Sequence, residues 1–375
     1  MTLSELETPC LVLDRGKLRA NARRMNEHAQ RHGVPLRLHG KTAKNIEAVQ
    51  AASGGRCDRL TVSTLKEADY YLAHGITDLV YAVGIAPNKV DRVIGLIRRG
   101  AQLRVLLDSL AQVRAVSERA RAAGVDVPVL IEVDCDGARS GVPVAGPALA
   151  EIARACHGSA GVQLAGILTH AGGSYNCASV EEIRALAAKE RGDAIRAAGI
   201  VREAGCPCEM ISIGSTPTAL FGTNFEGVTE IRAGVYLFQD LVMAGLGVCE
   251  VGDIALSVLV SVIGHQQDKG WIVTDGGWMA LSRDRGTARQ SRDRGYGLVC
   301  GVDGLPLDGL TVSSANQEHG IITSSQAIDW DRFPVGTLLR VLPNHACATG
   351  AQHDRYHVVE DSREIVAVWE RINGW

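Results

Sequence analysis

Short apolar runs recur through the first two-thirds of the chain, at Leu36–His39, Leu60–Ser63, Leu79–Val83, Leu103–Leu107, Val127–Val133, Leu164–His170, Glu209–Ile213 and Thr229–Ala233. Each is short enough for a strand and apolar enough to be buried on both faces. Between them, apolar residues return every three or four positions. That spacing predicts helices, most clearly over Arg15–His32, Lys89–Arg99, Leu110–Ala123 and Val180–Ala204. Strands alternating with helices imply a parallel sheet, and eight of them suffice to close a (β/α)8 barrel. An open, doubly wound sheet is the alternative architecture.

The pattern changes after about Val248. Strand-like runs at Ala255–Ile263, Trp271–Thr274, Leu310–Ser313, Thr337–Leu342, Tyr356–Val359 and Ile365–Trp369 are separated by turn signals rather than helices. The expected organisation is an α/β barrel over residues 1–247 and a β-rich domain over 248–375, with residues 1–11 able to pack on the latter. Arg283-Asp284-Arg285 and Arg292-Asp293-Arg294 are the densest charge clusters and read as a solvated loop.

Composition narrows the function classes. The 375 residues are 46% hydrophobic and 22% charged with net charge −3, the balance of a globular protein. No basic surface for nucleic acid is indicated. No apolar run reaches the roughly 18 residues that a membrane span needs. The segment MTLSELETPC is acidic and lacks the features of a secretory signal, so a cytoplasmic protein is expected. The ten cysteines are then expected to be reduced thiols, most of them small buried hydrophobes. Cys206 and Cys208 form a C-x-C pair, but no second pair at zinc-ribbon spacing accompanies it.

Three groups of residues have the character of a reactive site. Lys41 follows the first apolar run, where partial desolvation would favour a neutral, nucleophilic amine; a surface cation is the plainer alternative. Gly40 before it permits close approach of a bulky group to the backbone. Gly214-Ser215-Thr216 follows the seventh run and offers hydroxyls and amides to a phosphate, or simply a turn with a helix cap. His345-Ala346-Cys347 would set an imidazole and a thiolate side by side on an extended segment, a pair suited to Zn²⁺. His353 and His357 lie nearby as further nitrogen donors.

Ordered motifs over nearly the whole chain carry a family resemblance. They are LRLHGKT (36–42), TVSTLKEA (61–68), EVDCDGARSG (132–141), LTHAGGSY (168–175), SIGSTPT (212–218), EIRAGVY (230–236), DGGW (275–278), NQEHG (316–320) and PNHACAT (343–349). The chain resembles the D-threonine aldolase / D-serine dehydratase family of fold-type III pyridoxal-5′-phosphate (PLP) enzymes, which share the alanine-racemase barrel. The resemblance implies that Lys41 carries PLP as a Schiff base and that Gly214, Ser215 and Thr216 hold its phosphate, with Gly234 and Tyr236 nearby. It implies that His170 and Tyr175 contact the ring and that Arg139 lies near the phenolic oxygen. Arg232 and Tyr175 are rival partners for the pyridine nitrogen. His345 and Cys347 would bind a divalent metal, Zn²⁺ first, with Mn²⁺ or Co²⁺ as alternatives.

His-x-Cys, where aldolase members tend to show His-x-Asp, resembles the dehydratases. SRDRGTARQ (282–290) together with NHACATGAQ (344–352) is most similar to the D-threo-3-hydroxyaspartate dehydratases. The implied activity is a carbon–oxygen lyase converting D-3-hydroxy amino acids, D-threo-3-hydroxyaspartate or D-serine, to a 2-oxo acid and ammonia. Arg283 or Arg285 is a candidate for a second substrate carboxylate, although a solvated loop explains them equally. The main alternative is D-threonine aldolase, cleaving such substrates to glycine and an aldehyde. A non-catalytic PLP-binding protein would lack the C-terminal β domain, and an alanine racemase would need a second-domain tyrosine motif that is not found. Family members are commonly homodimers, which is expected here by resemblance.

Overall fold

The computed structural model describes residues 1–360 and 362–375. Grouped by close contacts, the chain forms two compact units. One contains Met1–Arg23 and Val235–Asn373, the other Arg24–Gly234 and Gly374–Trp375.

The chain opens with Cys10–Asp14 (β1) and Arg15–Arg31 (α1). The second unit then alternates strands and helices. In order these are Leu36–His39 (β2), Ile46–Ala52 (α2), Arg59–Val62 (β3), Leu65–Ala73 (α3), Asp78–Gly84 (β4), Val90–Arg98 (α4), Gln102–Leu107 (β5) and Leu110–Ala123 (α5). Then come Val127–Asp134 (β6), the two-residue Val142–Pro143 (β7), Ala148–Gly158 (α6), Val162–Thr169 (β8), Val180–Glu203 (α7), Met210–Ile213 (β9), Thr216–Phe221 (α8) and Glu230–Ala233 (β10). Strands pair in parallel in the order β5-β4-β3-β2-β10-β9-β8-β6, and β5 also pairs with β6. Eight parallel strands therefore close a barrel, as the alternating pattern predicts; the open sheet is excluded. Val80, Leu106, Leu130 and Leu168 form one of its apolar clusters. The helix starts follow local chemistry: Asn45, Thr64, Ser109 and Ser179 each accept a backbone N–H in the first turn of α2, α3, α5 and α7.

The other unit adds Leu241–Gly245 (α9), Leu256–Gln266 (β11), Trp271–Thr274 (β12), Trp278–Leu281 (α10), Leu298–Cys300 (β13), Pro306–Ala315 (β14), Gly320–Ser324 (β15), Leu338–Leu342 (β16), Ala346–Gly350 (α11), Arg355–Val359 (β17) and Ile365–Glu370 (β18). Its sheet runs β12-β15-β14-β13-β16-β11-β1-β17-β18. The N-terminal strand β1 lies inside it, antiparallel to β11 and parallel to β17. Grouped by contacts, the segment from Val235 onward goes with the β unit, into which the stretch after β10 packs. Leu241 clusters with Ile254, Leu298, Cys300 and Leu342, and its N–H bonds the Pro343 carbonyl. Among the described residues no helix is long and apolar enough to cross a membrane.

Candidate functional site

The carboxyl ends of the barrel strands bring four basic side chains into one electrostatic neighbourhood. Lys41 lies just past β2, His39 ends β2, His170 follows β8 and Arg232 sits in β10. Burial holds the His39 imidazole well below its ordinary pKa, and the nearby charges of Lys41, Arg232 and His170 push the same way. His170 falls to about 3, through burial first, with Lys41, Arg139 and Arg232 adding to it and the Gly214 carbonyl opposing. His170 is therefore neutral at ordinary pH. With its ring Nδ1–H donating to the Gly214 oxygen at 2.9 Å, its Nε2 carries the lone pair. Tyr175 lies on the same segment, its ring centroid 6.4 Å from that of His170.

Arg232 is buried, and burial draws its guanidinium down to about 10, against the pull of Glu230 and Glu190. It donates to Ser212 Oγ at 2.8 Å and to the Thr169 carbonyl. Ser212 in turn donates to Glu230 (2.6 Å), which is paired with buried Arg37 (2.8 Å). Arg37 also bonds Asp78 (3.0 Å), and Asp78 pairs with Arg104 (2.6 Å). A continuous polar chain thus runs from Arg232 to a cavity of about 260 Å³ lined by Arg37, Asp78, Arg104 and Glu230, where the barrel strands begin. Arg139 is exposed, 3.6 Å from Glu132.

Two glycines have specific causes. A Cβ on Gly40 would lie 2.8 Å from the Tyr71 ring and 2.9 Å from Leu60, so the bulky neighbour that requires glycine is the chain's own Tyr71. Gly214 has φ +131°, and a Cβ there would lie 2.4 Å from the Arg232 carbonyl, so strands β9 and β10 could not approach. The Gly214–Thr216 turn is built as a helix cap. The Gly214 N–H donates to Glu190 at 2.9 Å and the Ser215 N–H to Thr218 Oγ1 at 3.1 Å. Ser215 Oγ accepts from the Thr218 N–H and shares a hydrogen bond with Ser174. The amides of Gly214 and Ser215, which the sequence offers to a phosphate, are thus spent inside the protein. Thr216 is buried at the first position of α8, and Gly234 stands against His39 and Thr42.

The β unit holds a separate polar group. His345 caps α11 in extended conformation, whereas Cys347 lies within that helix. The pair is therefore joined by a helix start, not by the i, i+2 geometry of an extended segment. The two side chains still meet through a hydrogen bond. His345 Nδ1 faces Asp284 Oδ2 at 2.7 Å, a partner 61 positions away. Burial opposes a charge on this imidazole, but Asp284, Cys347 and Asp240 outweigh it and its pKa is pushed up to about 11. Burial raises Asp240, which accepts the Met243 and Ala346 N–H groups. Such a pocket favours a positive occupant. An imidazole held at Nδ1 by a carboxylate, with a thiol beside it, is the donor set of a metal site with an outer-shell carboxylate. Among the described residues no group of three or more metal-type side chains converges. His353 bonds the Ala280 carbonyl, and burial lowers the pKa of both His353 and His357. Sequence reasoning missed Asp284, hidden in a segment read as solvated loop. Of its neighbours, Arg285 pairs with Asp293 at 2.8 Å and Arg283 lies over the Trp278 ring at 5.0 Å.

For PLP, an amine at a strand end, a neutral imidazole and a buried guanidinium within one neighbourhood fit an aldehyde-bearing, anionic cofactor. Comparison with known proteins points the same way. Residues 13–241 match the alanine racemase N-terminal domain family and residues 255–359 a serine dehydratase domain family. The chain is 48% identical to a D-threo-3-hydroxyaspartate dehydratase of Delftia sp., over 100% of this chain and 99% of the relative. It is 28% identical to a D-serine dehydratase of Dictyostelium discoideum, over 100% and 98%. It is 30% identical to a D-threonine aldolase of Arthrobacter sp., over 98% and 93%. A solved D-threo-3-hydroxyaspartate dehydratase, a cysteine-to-alanine variant in the metal-free form, superposes with TM-score 0.97 at 47% identity, covering all of both chains.

Proposed function

This chain belongs to the alanine racemase-type barrel enzymes that carry a serine dehydratase domain, and we propose that it is a PLP-dependent lyase dehydrating D-3-hydroxy amino acids. The preferred substrate in this reading is D-threo-3-hydroxyaspartate, with D-serine as the smaller relative, giving oxaloacetate or pyruvate and ammonia. The observation that carries it is the cluster of Lys41, His39, His170 and Arg232 at the strand ends. In this reading Lys41 Nζ would hold PLP covalently, His170 and Tyr175 would line its ring, Arg139 would stand near its phenolic oxygen, and Gly214, Ser215, Thr216, Gly234 and Tyr236 would surround its phosphate. Arg232 and Tyr175 are rival partners for the pyridine nitrogen; Arg232 already donates to Ser212 and Thr169.

PLP supplies a sink for the negative charge left when the Cα proton departs. The chain's part is to move that proton, and Lys41 Nζ, a free amine once the substrate amine has replaced it on the cofactor, would take it. Neutral His170 presents a lone pair without adding a positive charge beside that amine. A divalent cation, Zn²⁺ in first place with Mn²⁺ or Co²⁺ as alternatives, would be held by His345 and Cys347 and supply Lewis acidity toward the departing hydroxyl. Asp284 orients His345 by accepting its Nδ1–H, which leaves Nε2 for the cation. The ten free cysteines support a reducing, cytoplasmic setting. A homodimer is part of the proposal, tested by light scattering.

The deciding experiment offers the purified protein D-serine, D-threonine and both threo- and erythro-3-hydroxyaspartates, with and without EDTA, and measures ammonia and aldehyde. Ammonia with 2-oxo acid, abolished by EDTA, is expected. Glycine with aldehyde would make it an aldolase, and turnover indifferent to EDTA would remove the metal from the reaction.

A further inference from the structure

The most connected buried acid of the barrel unit lies outside the groups given a role above. Glu190 on α7 is 0% exposed. Its Oε1 accepts three hydrogen bonds, from Thr169 Oγ1 (3.0 Å), the Ala171 N–H (3.1 Å) and the Gly214 N–H (2.9 Å). Its Oε2 accepts from Thr218 Oγ1 at 2.8 Å. Among the described residues no lysine or arginine pairs with it directly, although its charge is felt by Arg232. A buried carboxylate held by four dipoles and no cation is costly unless the geometry is used.

The donors come from two places only. Thr169 and Ala171 flank His170, while Gly214 and Thr218 bracket the turn after β9. His170 itself closes the loop by bonding the Gly214 carbonyl. One side chain on an outer helix therefore ties the Thr169 hydroxyl and the Ala171 N–H, on either side of His170, to the Gly214–Thr218 turn. Both clamped segments carry groups assigned to the cofactor, and Glu190 touches neither Lys41 nor His170 directly in the hydrogen-bond pattern.

We propose that Glu190 is a positioning residue that preorganises the PLP cup by joining the His170 segment to the Gly214–Thr218 turn. The inference rests on the PLP reading above. It separates from a general role in stability because its neighbour Asp193, 5% exposed on the same helix, ties only Lys189 and Arg196 among the described residues. Loss of Asp193 should weaken α7 without loosening the cup.

The test titrates cofactor-free protein with PLP, following imine absorbance, with thermal denaturation in parallel. Glu190→Ala is expected to weaken PLP binding by about tenfold or more, since three donors on one oxygen lose their acceptor. Glu190→Asp keeps the charge but withdraws it by one methylene, and is expected to lose a similar factor. Glu190→Gln can keep oxygen at the three-donor position and turn its amide toward the Thr218 hydroxyl, so binding within about threefold of wild type is expected. Asp193→Ala should lower the melting temperature and leave PLP binding within about threefold. The proposal is overturned if Glu190→Asp binds PLP as wild type does, or if Asp193→Ala weakens binding equally; should Glu190→Ala not fold, Glu190→Asp decides. Wild type and Lys41→Ala run alongside: absence of an imine band in wild type would sink the PLP reading itself, a different result from a wild-type band that Glu190 variants leave unchanged.

Discussion

Replacing Arg37 with methionine is the sharpest test of how the barrel is held together. Arg37 is 2% exposed. Its Nε donates to both Glu230 oxygens at 2.9 and 2.8 Å, and its Nη atoms reach Asp78 at 3.0–3.2 Å. Burial works against its charge, but Glu230 and Asp78 more than restore it. In Arg37→Met, Asp78 keeps Arg104, whereas Glu230 keeps, among the described residues, only the Ser212 hydrogen bond and the more distant charge of Arg232. A buried charge stripped of its partner costs about 3–5 kcal/mol. For a unit of roughly 200 residues each kcal/mol moves the melting temperature by about 2 °C, so a fall of about 6–10 °C is expected by calorimetry. Arg119→Ala, which breaks an exposed pair with Asp91, should move it by less than about 2 °C. The double variant Arg37→Met/Glu230→Leu removes both charges and should regain most of the loss. If it is no more stable than Arg37→Met alone, the stranded carboxylate is not the cause and the reasoning fails.

Three further outcomes follow from other parts of the molecule. Asp78 is held below its ordinary pKa of 3.8, because Arg37 and Arg104 outweigh the effect of burial. A depressed carboxylate stabilises above its unfolded pKa and loses that stabilisation as pH falls through its folded value. The melting temperature should therefore drop below about pH 4, less steeply in Arg37→Met, and equal slopes in the two proteins would contradict the assignment. Asp284→Ala should weaken zinc binding by about 10–100-fold in a chelator competition while His345 and Cys347 remain; unchanged affinity would deny Asp284 an orienting role. Gly214→Ala must place a methyl 2.4 Å from a carbonyl at φ +131° and should cost about 2 kcal/mol or more, whereas Gly95→Ala, exposed in α4 with nothing within 4 Å, should stabilise by about 0.5–1 kcal/mol; chemical denaturation of both checks the contrast.

The hydrophobic pattern alone was sufficient for eight barrel strands, the four helices α1, α4, α5 and α7 and the change to a β-rich region. It placed Leu36–His39, Leu110–Ala123 and Trp271–Thr274 to the residue. This works because strand and helix periods are local: which face a residue presents depends on neighbours two to four positions away. The motifs around Lys41, His170, Gly214 and His345 were equally legible, since each is a short run at a strand or helix end.

Other features have no local signal. Cys10–Asp14 enters a sheet between strands that begin at Leu256 and Arg355, a pairing settled by edges that exist only once the chain has folded. Tyr71, not a ligand, explains Gly40, and the Gly214 and Ser215 amides turn inward to Glu190 and Thr218. Asp284 meets His345 across 61 positions, and Glu190 gathers donors from two strand ends. Composition and period decide which residues are buried. Which buried polar groups satisfy one another is decided by three-dimensional proximity, because a carboxylate takes whichever donors the packed backbone brings within about 3 Å.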